Sequence, residues 1–352
     1  MHFRGLGTAT PTHRYTKAEC LVAFEESAWF KRLDSRAHWI ARSVLQRDNG
    51  IATRHLAVDD LAEVFQIDAD TLARRFETHA PALACSAATQ ALADAGLQAP
   101  QVDAVIVSTC TGRLCPGLSG HVIERLGLRR DALAFDLVGQ GCAAALPNFQ
   151  MGSALLGAGL AAHVLSVCVE ISSAAMYLDN DPGVLISACL FGDGAGAAVL
   201  SGSPQPGRRQ VEWTASGSLI EPAQRQALRF EQCDGLQRNI LSRAVPALAA
   251  SYARQVLENV LGPAGLQPGD IQAWILHAGG RDVLQALARG LELDEAALRY
   301  SAAMLLAYGN LSSAFVYFVL QAALAEPAPA GWWWLSSFGA GFSCHGALLR
   351  VQ

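Results

Sequence analysis

Apolar and polar positions follow two different periods along the chain. Apolar residues recur at helical spacing over 71–95, 143–162 and 243–260. Short and nearly continuous apolar runs, of which 102–108 and 271–277 are the clearest, are typical of buried strands. Because strands that alternate with helices of this length form mixed or parallel sheets covered by helices, the pattern predicts an α/β fold.

Parts of this pattern occur twice, in the same order. Ala-Gly-Leu-Gln leads into an apolar run at 95–98 and again at 264–267, as expected for a helix end followed by a buried strand. Phe-Gly-Asp-Gly at 191–194 and Phe-Gly-Ala-Gly at 338–341 each precede a further apolar strand. The repetition predicts a duplicated α/β unit, with chance similarity between two amphipathic helix–strand units as the alternative.

The turn-rich polar stretch 201–207 separates the two copies. We therefore predict an N-terminal half from residue 1 to 205 and a C-terminal half from residue 206 to 352. Two such halves, packed together, form a layered sandwich.

Composition narrows the class of protein. The 352 residues are 51% hydrophobic and 16% charged, which predicts a large buried core and excludes a disordered chain. A net charge of -5 provides no basic field, so nucleic acid is not an expected partner. No apolar run approaches the roughly 18 to 20 residues that span a bilayer, and the start lacks the apolar stretch of a signal peptide. We expect a cytoplasmic protein with no membrane partner.

The nine cysteines are scattered, and no pair has the Cys-x-x-Cys spacing of a zinc or redox site. We therefore expect no metal site and no structural disulfides. Most of the thiols should be buried and should behave as small hydrophobic groups.

Cys142 differs from the other cysteines in its surroundings. An apolar run ends in Gly139-Gln140-Gly141, and Cys142 is followed by a run of alanines. Glycines permit a sharp turn, and the alanines predict a helix whose N-terminus carries Cys142. Backbone N–H groups and the helix dipole at that end favour a thiolate, which is a nucleophile for a thioester carbonyl. The alternative is one more buried thiol.

Two further residues accompany glycine turns. His277 leaves a buried strand into Gly279 and Gly280, at a position where α/β proteins carry functional groups. Asn310 lies just before the apolar helix predicted over 314–325. Taken alone, His277 is equally consistent with a histidine satisfied by the backbone, and Asn310 with a helix cap. Spacing does not establish that either residue meets Cys142.

Taken together, six motifs resemble those of the type III polyketide synthases, the chalcone-synthase-like family of the thiolase superfamily. They occur in the family's order and extend over nearly the whole chain. The motifs are 6–11, 141–142, 190–194, 277–280, 308–313 and 338–341. The resemblance implies a five-layer αβαβα sandwich of two duplicated halves, and a homodimer. Cys110 matches a cavity position at which bacterial members carry cysteine, which implies a bacterial-type member.

The resemblance also implies a reaction with three catalytic residues. Cys142 takes a starter acyl group from an acyl-CoA. His277 keeps Cys142 ionised and, with Asn310, hydrogen-bonds the malonyl thioester while decarboxylation generates an enolate. Several rounds with malonyl-CoA lengthen the chain, which then cyclises to an aromatic or pyrone product. Coenzyme A thioesters are the substrates, and neither a cofactor nor a metal is implied.

Further residues match positions that line the family's cavity. Phe191 matches the aromatic residue that gates the coenzyme A tunnel, with ordinary packing as the alternative. The other matched positions are Cys110, Thr111, Ser172, Ala175, Ser187 and Ser312. Asn239 stands where the family has a second gating phenylalanine, and Phe230 is the alternative occupant of that space. Ala340 replaces the proline of the closing motif, which predicts a looser turn.

The stretch 31–54 is rich in arginine, whose guanidinium fork suits phosphate groups such as those of coenzyme A. Arg42 and Arg47 lie closest to the family's coenzyme A contacts. A solvated helix face is the alternative.

Two rival functions remain open. A single-condensation enzyme similar to β-ketoacyl synthase III shares the fold and the Cys-His-Asn group, but Gly-Gln-Gly before Cys142 and the gating Phe191 argue against it. A non-catalytic subunit that kept the thiolase fold is the second rival, and the complete trio of Cys142, His277 and Asn310 argues against that function.

Overall fold

The computed structural model of the protein describes residues 1–326 and 328–352, and these contain thirteen strands and ten α-helices. The strands are β1 (His2–Ala9), β2 (Arg14–Thr16), β3 (Thr53–His55), β4 (Ala104–Ser108), β5 (Leu133–Leu137), β6 (His163–Glu170), β7 (Gly194–Ser201), β8 (Val211–Ile220), β9 (Leu228–Cys233), β10 (Leu236–Leu241), β11 (Ile271–Leu276), β12 (Gly331–Gly339) and β13 (Ser343–Val351). The helices are α1 (Lys17–Glu26), α2 (Ser35–Gln46), α3 (Ala69–Ala95), α4 (Leu118–Leu126), α5 (Ala145–Gly157), α6 (Pro182–Leu190), α7 (Val245–Ala264), α8 (Arg281–Leu291), α9 (Arg299–Tyr308) and α10 (Phe315–Ala325).

Strand directions repeat between the two halves of the main sheet, whose order is β11-β12-β13-β8-β1-β7-β6-β4-β5. In the first half β4 is parallel to β6, and β7 runs antiparallel to both of its neighbours, β6 and β1. In the second half β11 is parallel to β12, and β12, β13 and β8 follow with the same alternation. The halves join through a short β1–β8 pairing. The predicted duplication is confirmed, whereas the boundary at 205 to 206, between β7 and β8, stays a prediction.

Helices cover both half-sheets and fill the space between them. Helix α3 packs on β1, β6 and β7, and α7 packs on β8, β12 and β13. Helices α5 and α10 each contact strands of both halves, so they form a middle layer. Counted across, the layers are helix, sheet, helix, sheet, helix. The predicted αβαβα sandwich is therefore confirmed.

The middle helix α10 is apolar on all sides because sheets enclose it. Its residues 315–320 are all buried. With 11 residues, α10 is too short to span a bilayer. Among residues 1–326 and 328–352, no helix is long and apolar enough to cross a membrane.

Helix bounds agree with the apolar periodicity to within two residues except at the C-terminal ends of α5 and α7, and α7 continues to Ala264 where the sequence predicts an end at residue 260. The sequence predicts helices over 71–95 and 143–162, and the structure has Ala69–Ala95 and Ala145–Gly157. Helix α5 ends early because the chain turns at Gly159, which has a left-handed φ of 68°. Small apolar residues within that turn continue the helical pattern without forming helix.

Strand β1 approaches helix α3 so closely that only glycine fits at two positions. A Cβ atom at Gly7 would lie 2.2 Å from the carbonyl oxygen of Ala87, and one at Gly5 would lie 2.3 Å from that of Ala91. The facing residues of α3 are alanines that are fully buried. Small residues on both elements therefore set the separation of the outer helical layer from the first half-sheet.

Replacing Gly7 by alanine should destabilise the protein by about 1–3 kcal/mol, because the new methyl group must displace the α3 backbone. The free energy of unfolding in urea measures the effect. Gly202→Ala is the matched control, since a Cβ there meets nothing within 4 Å. Equal stability of the two variants would contradict the close-packing explanation.

Candidate active site

Cys142 lies in a tight turn between β5 and α5. Gly139 and Gly141 both adopt left-handed φ angles, 82° and 54°, and residues Gly141–Ala143 form a single 3₁₀ turn that continues into α5 at Ala145. Glycine suits both angles because a Cβ atom opposes them. The predicted position of Cys142 next to a helix N-terminus is therefore found in the structure.

A second turn, just before α10, faces the sulfur of Cys142. The Ser312 hydroxyl donates to Cys142 Sγ at 3.3 Å. Ser312 itself has a left-handed φ of 50°, which the Asn310 side chain supports by accepting the Ser312 N–H at 2.8 Å. Through this contact Asn310 determines where the Ser312 hydroxyl lies.

Asn310 also reaches the turn that follows His277. Its Nδ2 donates to the carbonyl oxygen of Gly279 at 3.3 Å. On the other side, His277 N–H donates to Ser336 on β12 at 2.9 Å. A chain of direct hydrogen bonds therefore links the turns that carry Cys142, Asn310 and His277, which spacing alone does not establish.

The imidazole of His277 is buried in an aromatic setting. Its ring lies edge-on to Phe315 and Phe338, with centroids 5.5 and 5.1 Å away. Neither ring nitrogen has a hydrogen-bond partner among the described residues. Burial lowers the pKa of His277 to about 3, so the ring is neutral at neutral pH and one nitrogen can accept a proton.

Burial opposes the thiolate that the sequence predicts at Cys142. Burial raises the pKa of the Cys142 thiol to about 12, the hydrogen bond from Ser312 lowers it, and the Glu170 carboxylate raises it. Burial therefore favours the neutral thiol of Cys142 in this structure. That His277 keeps Cys142 ionised stays a prediction. Burial outweighs the stabilising contacts of the sulfur.

Glu170 is a buried carboxylate of the site that the sequence analysis did not identify. It ends strand β6 and accepts hydrogen bonds from backbone, hydroxyl and thiol groups. The donors are Thr109 Oγ1, Cys110 N, Cys110 Sγ, Thr111 Oγ1, Ser312 Oγ and Ser313 Oγ. Burial raises the pKa of Glu170. The available signal is a single acidic residue that ends an otherwise apolar strand.

Ser312 connects this carboxylate with the nucleophile. Its hydroxyl lies 3.3 Å from Glu170 Oε1, 3.3 Å from Cys142 Sγ and 3.2 Å from Cys110 Sγ. One hydroxyl carries one hydrogen, so Ser312 donates to only one of these acceptors at a time. The hydrogen bond to Cys142 therefore competes with the hydrogen bond to Glu170.

Cys142 lies in the wall of a cavity. All eight residues that the resemblance assigns to the cavity line it, namely Cys110, Thr111, Ser172, Ala175, Ser187, Phe191, Asn239 and Ser312. Their role in substrate binding stays a prediction. His277 and Asn310 are not among the described residues that line the cavity.

The two positions considered for the second gate face each other on one hairpin. Strands β9 and β10 pair Phe230 with Asn239, and both residues line the cavity. The hairpin thus supplies an aromatic ring to the cavity wall although its partner position is polar. On the opposite side Phe191 follows α6, where buried Arg54 donates to the carbonyl oxygens of Ala188 and Phe191 at 2.8 and 3.0 Å.

The arginines predicted to contact coenzyme A lie on and next to α2. Arg42 forms an ion pair with Glu25 at 2.6 Å and lies over the ring of Phe30. Arg47 lies over the ring of Trp39. Neither is among the described residues that line the cavity. These contacts fit a solvated helix face, and coenzyme A binding by Arg42 and Arg47 stays a prediction.

No group of three or more His, Cys, Asp or Glu side chains in the described part of the chain is arranged to hold a metal ion. The expectation of a reaction without metal or cofactor stays a prediction.

The turn at Ala340 contacts the Cys142 turn directly, since a Cβ on Gly141 would lie 3.1 Å from the Ala340 nitrogen.

Family models match both halves of the chain. The model described as FAE1/Type III polyketide synthase-like protein matches residues 11–214. The model described as Chalcone and stilbene synthases, C-terminal domain, matches residues 223–351. Together these matches include Cys142, His277 and Asn310.

Individual relatives and solved structures agree with these matches. The chain is 32% identical to a 1,3,6,8-tetrahydroxynaphthalene synthase of Streptomyces peucetius subsp. caesius, over 97% of this chain and 91% of the relative. The 1,3,6,8-tetrahydroxynaphthalene synthase structure from Streptomyces coelicolor A3(2) superposes with a TM-score of 0.87 at 26% identity, covering 100% and 99% of the two chains. The PKS-I structure from the brown alga Ectocarpus siliculosus gives 0.90 at 25% identity, covering 99% and 97%.

Glu170→Gln and Ser312→Ala should shift the pKa of Cys142 in opposite directions. Removing the Glu170 charge lowers that pKa, because the thiolate loses a repulsive neighbour; removing the Ser312 hydroxyl raises it, because the thiolate loses a donor. The pH dependence of iodoacetamide alkylation, followed by mass spectrometry of the Cys142 peptide, reports both shifts.

The exposed Glu124→Gln on α4 is the control and should leave the alkylation profile unchanged. Alkylation profiles that move in the same direction in Glu170→Gln and Ser312→Ala would contradict the opposite effects of Glu170 and Ser312 on the pKa of Cys142.

Proposed function

The chain belongs to the type III polyketide synthase family, and on that premise we propose that it loads an acyl group from an acyl-CoA onto Cys142 and extends it with malonyl-CoA. The chain is an acyltransferase. This acyl-transfer proposal rests on one observation: the sulfur of Cys142 lies in the wall of a cavity, next to a helix N-terminus and a hydroxyl donor.

In the loading step the Cys142 sulfur attacks the thioester carbonyl of the acyl-CoA. The thiol proton passes to the unpartnered imidazole of His277 as the new carbon–sulfur bond forms. The bond to the coenzyme A sulfur breaks, and that sulfur takes the proton back from His277. The products are acyl-Cys142 and free coenzyme A. His277 starts neutral and so has a lone pair for this proton, and burial, which lowers the pKa of His277 to about 3, favours rapid return of the proton to the coenzyme A sulfur.

In the extension step malonyl-CoA loses carbon dioxide, and its thioester oxygen gains negative charge. The amide nitrogen of Asn310 has two hydrogens, of which Gly279 takes one. The second hydrogen of Asn310 and an N–H of His277 would donate to the thioester oxygen and lower the barrier. The resulting carbanion attacks the acyl-Cys142 carbonyl, which lengthens the chain by two carbons and frees the Cys142 sulfur.

The cavity supports repeated extension and ring closure at one site. Its wall combines apolar residues such as Leu56 and Val184 with scattered hydroxyl and thiol groups, as expected for a pocket that orients a substrate through a few polar contacts. We infer that the poly-β-keto chain folds in this space and cyclises to an aromatic or pyrone product. The scheme uses only coenzyme A thioesters and requires no cofactor.

The same proposal includes a homodimer in the cytoplasm. Strand β5 is an edge strand of the main sheet, and its unpaired backbone groups can pair with a second copy. Apolar residues at this edge are exposed, with Val138 at 71% and Leu133 at 37%. Nine free cysteines in the described residues fit a reducing compartment.

Incubation with an acyl-CoA and malonyl-CoA should yield products whose mass equals the starter plus several two-carbon units, less the water lost on ring closure. Cys142→Ala should abolish acylation of the protein and lower product formation by more than about 10³-fold, since the nucleophile is lost. Cys85→Ala, a thiol on α3 outside the cavity lining, is the control.

A product with a single extension would favour the β-ketoacyl synthase III-like rival. Absence of carbon dioxide release from malonyl-CoA would favour the non-catalytic rival. Either result would overturn the proposed function.

Val138→Glu should convert a dimer into a monomer, because a charge on each copy would meet its counterpart across the β5 edge. Sedimentation velocity measures the change. Val22→Glu on α1, at a valine with 55% exposure, controls for a general effect of the substitution. A wild-type protein that sediments as a monomer would exclude the homodimer.

A further inference from the structure

Asn239 has a defined orientation in the cavity wall. Its Nδ2 lies 3.1 Å from Ser187 Oγ, and Ser187 Oγ lies 2.8 Å from the carbonyl oxygen of Gly183. The single hydroxyl hydrogen of Ser187 goes to the Gly183 carbonyl, which can only accept. Ser187 therefore accepts from Asn239, and the NH₂ side of the Asn239 amide must face α6.

This orientation leaves the other end of the amide without a partner. Asn239 Oδ1 is buried, and no donor among the described residues reaches it. Buried acceptors are normally hydrogen-bonded, so an acceptor left open in a ligand cavity indicates a donor on the ligand. The cavity lining includes the donor side chains of Tyr177, Arg229 and Thr111, but none of them donates to Asn239 Oδ1.

The strand that carries Asn239 is held firmly. Its neighbour Arg238 pairs with Asp179 at 2.7 Å, in the loop before α6, and with Glu231 at 2.8 Å on β9. The Arg238 side chain is 18% exposed, so water screens these ion pairs only partly. Asn239 and Ser187 therefore keep a constant separation, and Asn239 Oδ1 keeps a constant place in the wall.

We propose that Asn239 determines specificity by accepting, through Oδ1, a hydrogen bond from an N–H or O–H group of the bound thioester. The inference rests on the proposed function and adds that the bound thioester must contain a hydrogen-bond donor. The donor is an amide N–H of the pantetheine arm or an enol O–H of the growing poly-β-keto chain. A saturated acyl chain carries no such donor and gains nothing from Asn239.

Asn239→Leu removes the acceptor and keeps the same number and branching of side-chain heavy atoms, and it tests the proposal with three acyl donors. They are the acyl-CoA, the acyl thioester of N-acetylcysteamine, which keeps an amide, and the acyl thioester of ethanethiol, which has none. The rate of mass gain at the Cys142 peptide gives kcat/KM for loading. Mass spectrometry of products formed with malonyl-CoA gives the chain-length distribution.

A pantetheine donor predicts that Asn239→Leu lowers kcat/KM about tenfold for the two amide-containing thioesters and not for the ethanethiol thioester. An enol donor predicts unchanged loading from all three, with the share of the longest product reduced about tenfold. Loading and products within about twofold of wild type in every arm, or an equal loss with all three thioesters, would overturn the proposal.

Two further variants distinguish the effect of losing the acceptor oxygen from the effect of changing the shape of the cavity wall. Asn239→Gln keeps both an amide donor for Ser187 and an acceptor oxygen and should lose clearly less activity than Asn239→Leu, whereas damage equal to that of Asn239→Leu would refute an acceptor role. Gln232→Leu changes an exposed amide on the same hairpin and should behave as wild type. A wild-type protein that forms no product would reject the proposed function itself, which is a distinct result.

Discussion

The buried carboxylate of Glu170 holds together, through hydrogen bonds, the segments that form the cavity wall around Cys142. Moving a carboxylate out of water is costly unless donors replace the lost hydration. Here the donors come from the segment after β4 and from the turn before α10, so the two segments must meet at Glu170. The position of Ser312, and through it the hydrogen bond to Cys142, follows from satisfying this one charge.

Packing in the middle layer brings the turns of the site together. Helices α5 and α10 lie side by side between the half-sheets, and each begins directly after a turn of the site, at Cys142 and at Ser312. The duplicated architecture therefore aims two helix N-termini toward one place. Cys142 belongs to the first half and Asn310 to the second, so neither half contains the site alone.

Periodicity and repetition predicted the fold because they record burial, which is a local property of each strand and helix. The glycines at 139 and 141 predicted the turn at Cys142 for the same local reason, and the resemblance identified the cavity positions. The burial that raises the pKa of Cys142 was not predicted, and Glu170 was missed. Both depend on how much water the folded chain excludes, and on donors far away in the sequence, such as Ser312 and Thr111. Neither the amount of excluded water nor the position of these distant donors can be derived from the spacing of residues along the sequence.

Arg54 has a consequence for how the cavity opens. Its guanidinium fixes the backbone carbonyls at Ala188 and Phe191, and Phe191 is also bridged to Asn310. The segment can therefore not swing outward as a loop. Rotation of the Phe191 ring about its side-chain torsions is the freedom that remains, and such rotations are faster than loop motion. Under the gating role that the family resemblance implies for Phe191, the size of the substrate, and not the opening of a loop, would therefore limit its entry.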